Sequence, residues 1–251
     1  MLATVLLATA LTALTAPPAG EQVYDRLVRS TVLILGEHGL GSGVLVHRAR
    51  RLVLTNDHVI DDSPDTMLVA FALYDTAGDL VSDFKQYATF TRKVGRAEGR
   101  PAHVRPATVL ARRPGKDLAL LQLDGVPDSA RSLKLAPKFA PTGSQVYTVG
   151  NSGTGGSNQL WRYTTGNVRG RSTQQTKLLG GDQPKKIDSL VTETDLPISP
   201  GDSGGPLVDA KCQLVGVNCF GNNSARVVSG HIDIEEVRKF LRSAVPDIDW
   251  P

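Results

Sequence analysis

The stretch TDLPISPGDSGGPLV at 194–208 holds a serine among glycines, as Gly201-Asp202-Ser203-Gly204-Gly205. A serine hydroxyl is a weak nucleophile. It attacks a carbonyl only with a base in hydrogen-bond reach, itself kept in the right tautomer by a third group. Acyl transfer also needs two backbone N–H groups aimed at the developing oxyanion, in conformations that most residues resist. Gly201 can adopt such a conformation, so the N–H groups of Gly201 and Ser203 form the expected oxyanion hole. Gly204 and Gly205 leave room for a substrate to approach closely. The plain alternative is a β-turn that happens to contain a serine.

Five histidines limit the search for a base. His38 lies in the turn EHGLG, His47 ends a strand beside Arg48, His103 sits in a basic loop and His231 opens the last helix. His58 differs, because LVLTNDHVI sets it directly after an apolar strand, where a strand end can hold an imidazole at a barrel rim. Taken alone it reads more readily as a structural histidine. For the orienting acid, Asp117 opens KDLALLQL and is drawn toward the interior by the apolar strand behind it, where it needs a partner to offset desolvation. Alone it would be a strand-leading or turn residue. Asp57 adjoins His58, and neighbouring side chains on an extended chain point apart, which counts against it. The chain order His58, Asp117, Ser203 is one of three known triad orders, and it belongs to a double-barrel fold.

The elements that must position these residues are short. TVLILGEH, GSGVLVHR, RLVLTN, DTMLVAFALYD, ATVLAR and DLALLQL form one β-like set, and SQVYTVGN, QLWRYTTGNVRG, DSLVTET, GGPLVD, CQLVGVNCF and ARVVSG a second. A proline-bearing connector over 125–142 separates them. The 25 glycines and 15 prolines agree with many turns and few long helices. GEQVYDRLVRS reads as a short amphipathic helix leading into the core. HIDIEEVRKFLRSAV reads as a terminal helix, with Asp233 and Glu236 in capping-box spacing. The expected architecture is all-β: two six-stranded antiparallel barrels, the first over about 28–125 and the second over about 142–231, then a helix over about 233–245.

Residues 1–20 have an apolar core, small residues and prolines at the end, and no charged side chain before Glu21. They read as a signal peptide, with an uncleaved anchor as the alternative, leaving 21–251 as the working domain in a secreted or periplasmic protein. No stable membrane insertion is expected once the leader is cleaved. The net charge of +3 is too small to argue for nucleic acid or membrane as the main partner. Even the basic stretch 92–116 lacks interleaved aromatics and reads as solvated loop and strand faces. Cys212 and Cys219, if carried on one extended segment, are too far apart for a disulfide and should be free thiols.

Taken together, TDLPISPGDSGGPLV resembles the nucleophile loop of trypsin-like serine proteases of the chymotrypsin fold, nearest to the HtrA/Deg group. GLGSGVLV with LVLTNDHVI is similar to that group's first-barrel motif, KDLALLQL to its aspartate strand and YTVGN…TTGNVRG to its second-barrel opening. The match spans roughly residues 22–240. It implies a serine endopeptidase with His58 as general base, Asp117 as its orienter and Ser203 as nucleophile, acting on proteins or peptides without cofactor or metal. It also implies a specificity wall at Leu196-Pro197-Ile198-Ser199, with Pro197 and Ile198 against the substrate, and a rail at Cys219, Phe220 and Gly221 along the peptide. Pro197 falls where a carboxylate would select Lys or Arg, so a small or medium apolar residue is expected before the cut. Asp202 stands where the HtrA/Deg group usually has asparagine and should have a local partner. The PDZ domain typical of that group is absent from this sequence, so PDZ-based peptide sensing is not expected.

Two other classes compete. The serine also fits the G-x-S-x-G elbow of α/β-hydrolases, but that fold needs strand–turn–helix here and the order Ser…Asp…His. A non-catalytic binding protein that keeps the protease fold is the second, and an intact set of His58, Asp117 and Ser203 argues against it.

Overall fold

The computed structural model describes residues 20–35, 40–61, 66–91, 101–152, 159–178, 185–221 and 228–250. His38, the leader up to residue 19 and the basic residues 92–100 lie outside these.

Short β-branched and leucine-rich runs form β1 (Thr31–Leu35), β2 (Leu40–His47), β3 (Leu52–Thr55), β4 (Thr66–Phe71), β5 (Val104–Arg113) and β6 (Leu118–Leu123). They close into an antiparallel barrel in the order β1-β2-β3-β6-β5-β4. Alternate residues serve two cores, as the two-residue period of a strand requires. Val32, Ile34, Leu45, Val53, Val69 and Leu121 belong to one buried cluster. Their neighbours Leu33, Val44, Leu54 and Leu120 belong to a second, which also holds Val149, Val217 and Ile232 of the other half. The outward face of the first barrel is thus part of the joint between the halves.

The second half contains β7 (Lys134–Leu135), β8 (Gln145–Gly150), β9 (Arg162–Leu178), β10 (Lys185–Thr194), β11 (Pro206–Val208), β12 (Gln213–Gly221) and β13 (Ser229–Asp233). The order β11-β8-β9-β10-β13-β12, closed by pairing of β11 with β12, makes a second six-stranded antiparallel barrel. β7 arises inside the proline-bearing connector and pairs parallel to β12, Lys134 opposite Gln213. The fold is therefore the chymotrypsin-like double barrel that the sequence leads one to expect.

Helix α1 (Gly20–Val28) buries Val23, Leu27 and Val28 on one face. Helix α2 (Phe84–Thr91) falls in a stretch that reads only as a long connection, because it has no acidic first turn, no basic last turn and few turns in which to show a period. Tertiary contacts hold it: the Tyr87 hydroxyl donates to the Val81 carbonyl at 3.0 Å and accepts from Leu73 N–H at 2.8 Å and Trp161 Nε1–H at 3.1 Å. Helix α3 (Ile234–Ala244) is capped by Asp233, which accepts from Glu235 N–H. Glu236 does not complete a capping box; its carboxylate meets Lys116 Nζ at 3.0 Å instead. No described helix is long and apolar enough to cross a membrane.

Candidate active site

Three buried polar residues lead into His58, and each is committed to a different element. Thr55 Oγ1 donates to the Ser42 carbonyl at 2.7 Å, and Asn56 Nδ2 donates to the Asp117 carbonyl at 2.9 Å. Asp57 takes Arg112 Nε–H of β5 at 2.6 Å, and Arg112 also reaches Asp61 at 2.9 Å. That arginine carries its charge more firmly than usual because the Asp57 carboxylate holds its protons. The turn after β3 is thereby fixed on both sides of the imidazole. Asp57, discounted as an orienter, is an anchor for this turn.

Asp117 sits at the end of a 3-10 turn (Pro114–Lys116), in a left-handed conformation with φ +53. Few residues accept that conformation, and aspartate is one of them. The carboxylate turns wholly toward His58. Oδ1 accepts the His58 backbone N–H at 2.9 Å and Oδ2 lies 2.8 Å from Nδ1. An ionised carboxylate can only accept, so Nδ1 carries the ring proton of the neutral imidazole and Nε2 keeps its lone pair. Asp117 is 1% exposed, while the His58 side chain keeps 20% of its surface open to solvent. One partner is shielded and the other presents an edge.

A third group meets the same carboxylate. The Cys219 thiol donates to Asp117 Oδ2 at 3.0 Å. Burial, and then the Asp117 charge, push the thiol's pKa well above its ordinary value, so it stays protonated. Cys219 lies where the β12–β13 register shifts between Asn218 and Phe220. Its carbonyl accepts the Ser203 hydroxyl at 3.1 Å. The structure therefore joins His58, Asp117 and Cys219 directly, and brings Ser203 to Cys219 rather than to His58, since a hydroxyl has one proton to give.

The serine loop is held from both barrels. Ser42 N–H of β2 donates to the Ser203 carbonyl at 2.8 Å, and Ser42 Oγ donates to the Gly201 carbonyl at 2.8 Å. Asn151 N–H and Nδ2–H both donate back to Ser42 Oγ, at 3.1 and 3.2 Å. Gly201 and Gly204 adopt φ +99 and +84, conformations that side chains resist. Asp202 has local partners: Oδ1 accepts Ser152 N–H at 3.1 Å and Oδ2 accepts Ser199 N–H at 2.8 Å. Burial raises its pKa, and these bonds oppose the rise.

Behind the loop runs a fully buried chain of side chains. Asn218 Nδ2 donates to Thr148 Oγ1 at 2.8 Å and to the Asp202 carbonyl at 3.3 Å. Its Oδ1 therefore faces His231 Nδ1–H at 2.9 Å, and His231 Nε2 accepts the Thr194 hydroxyl at 2.8 Å. Burial pushes the His231 pKa down to about 3. Leu196 N–H closes the chain on Thr194 Oγ1 at 3.2 Å, tying the segment before the loop to its floor. Pro197 is exposed there, and Ile198 is half-buried against a cluster with Leu196, Val146 and Val215. Phe220 and Gly221 continue β12 opposite Gly230 and Ser229.

Ser42, Asn151, Arg112, Asn218 and His231 are contributors that motif spacing did not single out. Their partners are distant in sequence, and for most of them no local signal exists. The exception is the glycine frame of Ser42 in GLGSGVLV, which marks a close backbone approach.

The profile of the trypsin-like peptidase domain matches residues 41–217. Over 235 residues, 87% of the chain, the sequence is 31% identical to serine protease PepD of Mycobacterium tuberculosis, covering 43% of that protein. Over 183 residues, 71% of the chain, it is 28% identical to periplasmic serine endoprotease DegP of Salmonella typhimurium, covering 29% of it. The chain thus spans less than half the length of either relative. Among solved structures, the active form of the Rv3671c protease of M. tuberculosis superposes with a TM-score of 0.64 at 21% identity, over 99% of this chain and 96% of that one. A serine endoprotease from Yersinia pestis gives 0.62 at 20% identity, over 93% and 69%. These two likenesses speak for the fold, while the matched profile and the identity to PepD speak for descent. The chain belongs to the trypsin-like peptidase family, as a homologue of the HtrA-type serine proteases PepD and DegP.

Proposed function

We propose that this chain is a serine endopeptidase that cuts proteins or peptides through an acyl-enzyme, with His58, Asp117 and Ser203 as its triad. One observation carries the reading. Asp117 accepts both the main-chain N–H and the ring Nδ1–H of His58, which fixes the ring and its tautomer and leaves Nε2 as a base.

Peptide binding starts the sequence of events. An extended substrate adds to the backbone of β12 at Cys219, Phe220 and Gly221. A substrate N–H that takes the Cys219 carbonyl displaces the Ser203 hydroxyl from that acceptor and frees it to turn toward His58. Ser203 Oγ then attacks the scissile carbonyl as its proton passes to Nε2. The N–H groups of Gly201 and Ser203 receive the oxyanion, and Asp117 stabilises the imidazolium. His58 protonates the leaving amine, and water repeats the sequence in reverse to release the acid.

The substrate side chain before the cut meets Pro197 and Ile198. Asp202 is spent on Ser152 and Ser199, so a small or medium apolar residue suits this wall better than Lys or Arg. Export of the mature domain fits the apolar leader and the periplasmic relative.

The test is labelling with a fluorophosphonate, followed by mass spectrometry. One adduct on Ser203, missing in Ser203→Ala, is the expected result. No adduct before or after limited N-terminal proteolysis would overturn the reading in favour of a binding module.

A further inference from the structure

We propose that His58 Nδ1, Asp117 Oδ2 and Cys219 Sγ form an inhibitory site for a thiophilic divalent cation of the zinc class. Its effect on catalysis rests on the proposed role of His58 as general base; the binding itself does not.

The three atoms come from three segments, the turn after β3, the turn before β6 and β12, and all lie within 4.8 Å of one another. Among the described residues this is the one group of three such ligands that converges. Imidazole, carboxylate and thiolate are the ligand types that zinc takes, at about 2.0–2.3 Å from the metal. Sulfur gives the preference for soft cations over magnesium or calcium. Charge also favours the site. With Asp117 and Cys219 ionised, two negative ligands cancel a divalent cation, so no net charge is buried.

Geometry asks for a small opening. Nδ1 and Oδ2 are 2.8 Å apart, and Oδ2 and Sγ are 3.0 Å apart. Tetrahedral zinc holds nitrogen and oxygen ligands about 3.3 Å apart, so each pair must part by about half an ångström. The cation replaces the Nδ1–H···Oδ2 bond that otherwise holds the ring, and His58 is the partly open member of the three. A fourth ligand can be water.

The protons balance as follows. The cation takes the Nδ1 lone pair, and the ring proton moves to Nε2. The thiol proton leaves for solvent and sulfur binds as thiolate, with no change of oxidation state. One proton is released per ion bound. His58 Nε2, now protonated, cannot accept the proton of Ser203, and hydrolysis stops until the ion is removed. No step of the proposed mechanism uses a metal, so the ion acts as a brake.

The experiment uses Cd²⁺ as the ion and the full chain carrying Ser203→Ala and Cys212→Ser, so that cleavage is silent and one thiol remains. The expected result is a thiolate-to-cadmium charge-transfer band that saturates at one equivalent. Its affinity should rise with pH, because sulfur binds as thiolate. His58→Ala keeps the thiol and should weaken binding about tenfold or more. Absence of the band, or a band unchanged by His58→Ala, overturns the site. In the unsubstituted protein, Zn²⁺ should block fluorophosphonate labelling reversibly, with recovery on chelation. A band without any labelling in metal-free protein would sink the protease reading and leave the site standing. Labelling without a band would do the opposite.

Discussion

The main-chain N–H of Ser42 donates to the carbonyl of Ser203 at 2.8 Å, across the joint between the barrels. The Ser42 hydroxyl fixes the Gly201 carbonyl in the same loop. The first barrel thus supplies the template on which the second barrel's serine loop is shaped.

Removing that hydroxyl should separate loop shape from binding. In Ser42→Ala the Gly201 carbonyl loses its donor and the Asn151 main-chain N–H loses its acceptor, while Asn151 Nδ2 keeps the Val32 carbonyl, a cost of about 1–3 kcal/mol in stability. We expect kcat to fall about 10- to 100-fold with KM little changed, since the loop meets the transition state more than the bound substrate. Steady-state kinetics with urea unfolding checks both.

Gly204 tests the same joint sterically. Its φ is +84, and a Cβ there would run into the Ser42 carbonyl and Thr55 Oγ1. Gly204→Ala should destabilise by about 3 kcal/mol or more. Thermal unfolding within a degree of the parent would contradict this close approach.

Asp117→Asn should leave the fold intact, because asparagine tolerates the left-handed conformation. Its amide N–H₂ would face His58 Nδ1 and favour the tautomer with the proton on Nε2. The proposed mechanism then predicts a drop in kcat of about 10⁴. A drop below tenfold would remove Asp117 from the triad.

His231 gives a pH signature of the fold. Its native pKa is pushed down to about 3, against 6.5 for an ordinary histidine. Between these values the unfolded chain binds a proton that the native state does not. Stability therefore falls as the solution is acidified from about pH 6.5 to pH 3, by roughly 1.4 kcal/mol per unit from this residue. His231→Gln should be less stable at pH 7 yet lose one proton's worth of that slope. Urea midpoints measured across the range, with the same slope in both proteins, would refute the assignment.

What the sequence disclosed, and what it did not, follows the range of the interactions. Period-two runs revealed the strands, and the apolar frames around His58 and Asp117 marked them as strand-end residues. α2 stayed hidden because a tyrosine hydroxyl bound to distant backbone and Trp161 holds it, and no local period announces that. Both thiols are free, although Cys212 sits in the turn before β12 and not on the strand with Cys219, and nothing in CQLVGVNCF announces that Cys219 touches Asp117. The link between Asn218 and His231 was equally invisible, since it depends on the register of β12 against β13.

The left-handed turn at Asp117 has a consequence for how the two halves of the chain depend on each other. Lys116, the preceding residue, donates to the Asp188 carbonyl at 2.5 Å and to Glu236 at 3.0 Å, and Ser189 Oγ donates to the Lys116 carbonyl at 3.2 Å. These holds come from β10 and α3. The first barrel carries this aspartate, but the anchors of its turn come from the other half of the chain. A chain cut after β6 would keep His58 and Asp117 but lose every one of these anchors, so the proposed triad depends on the second half for its acid as well as for its serine.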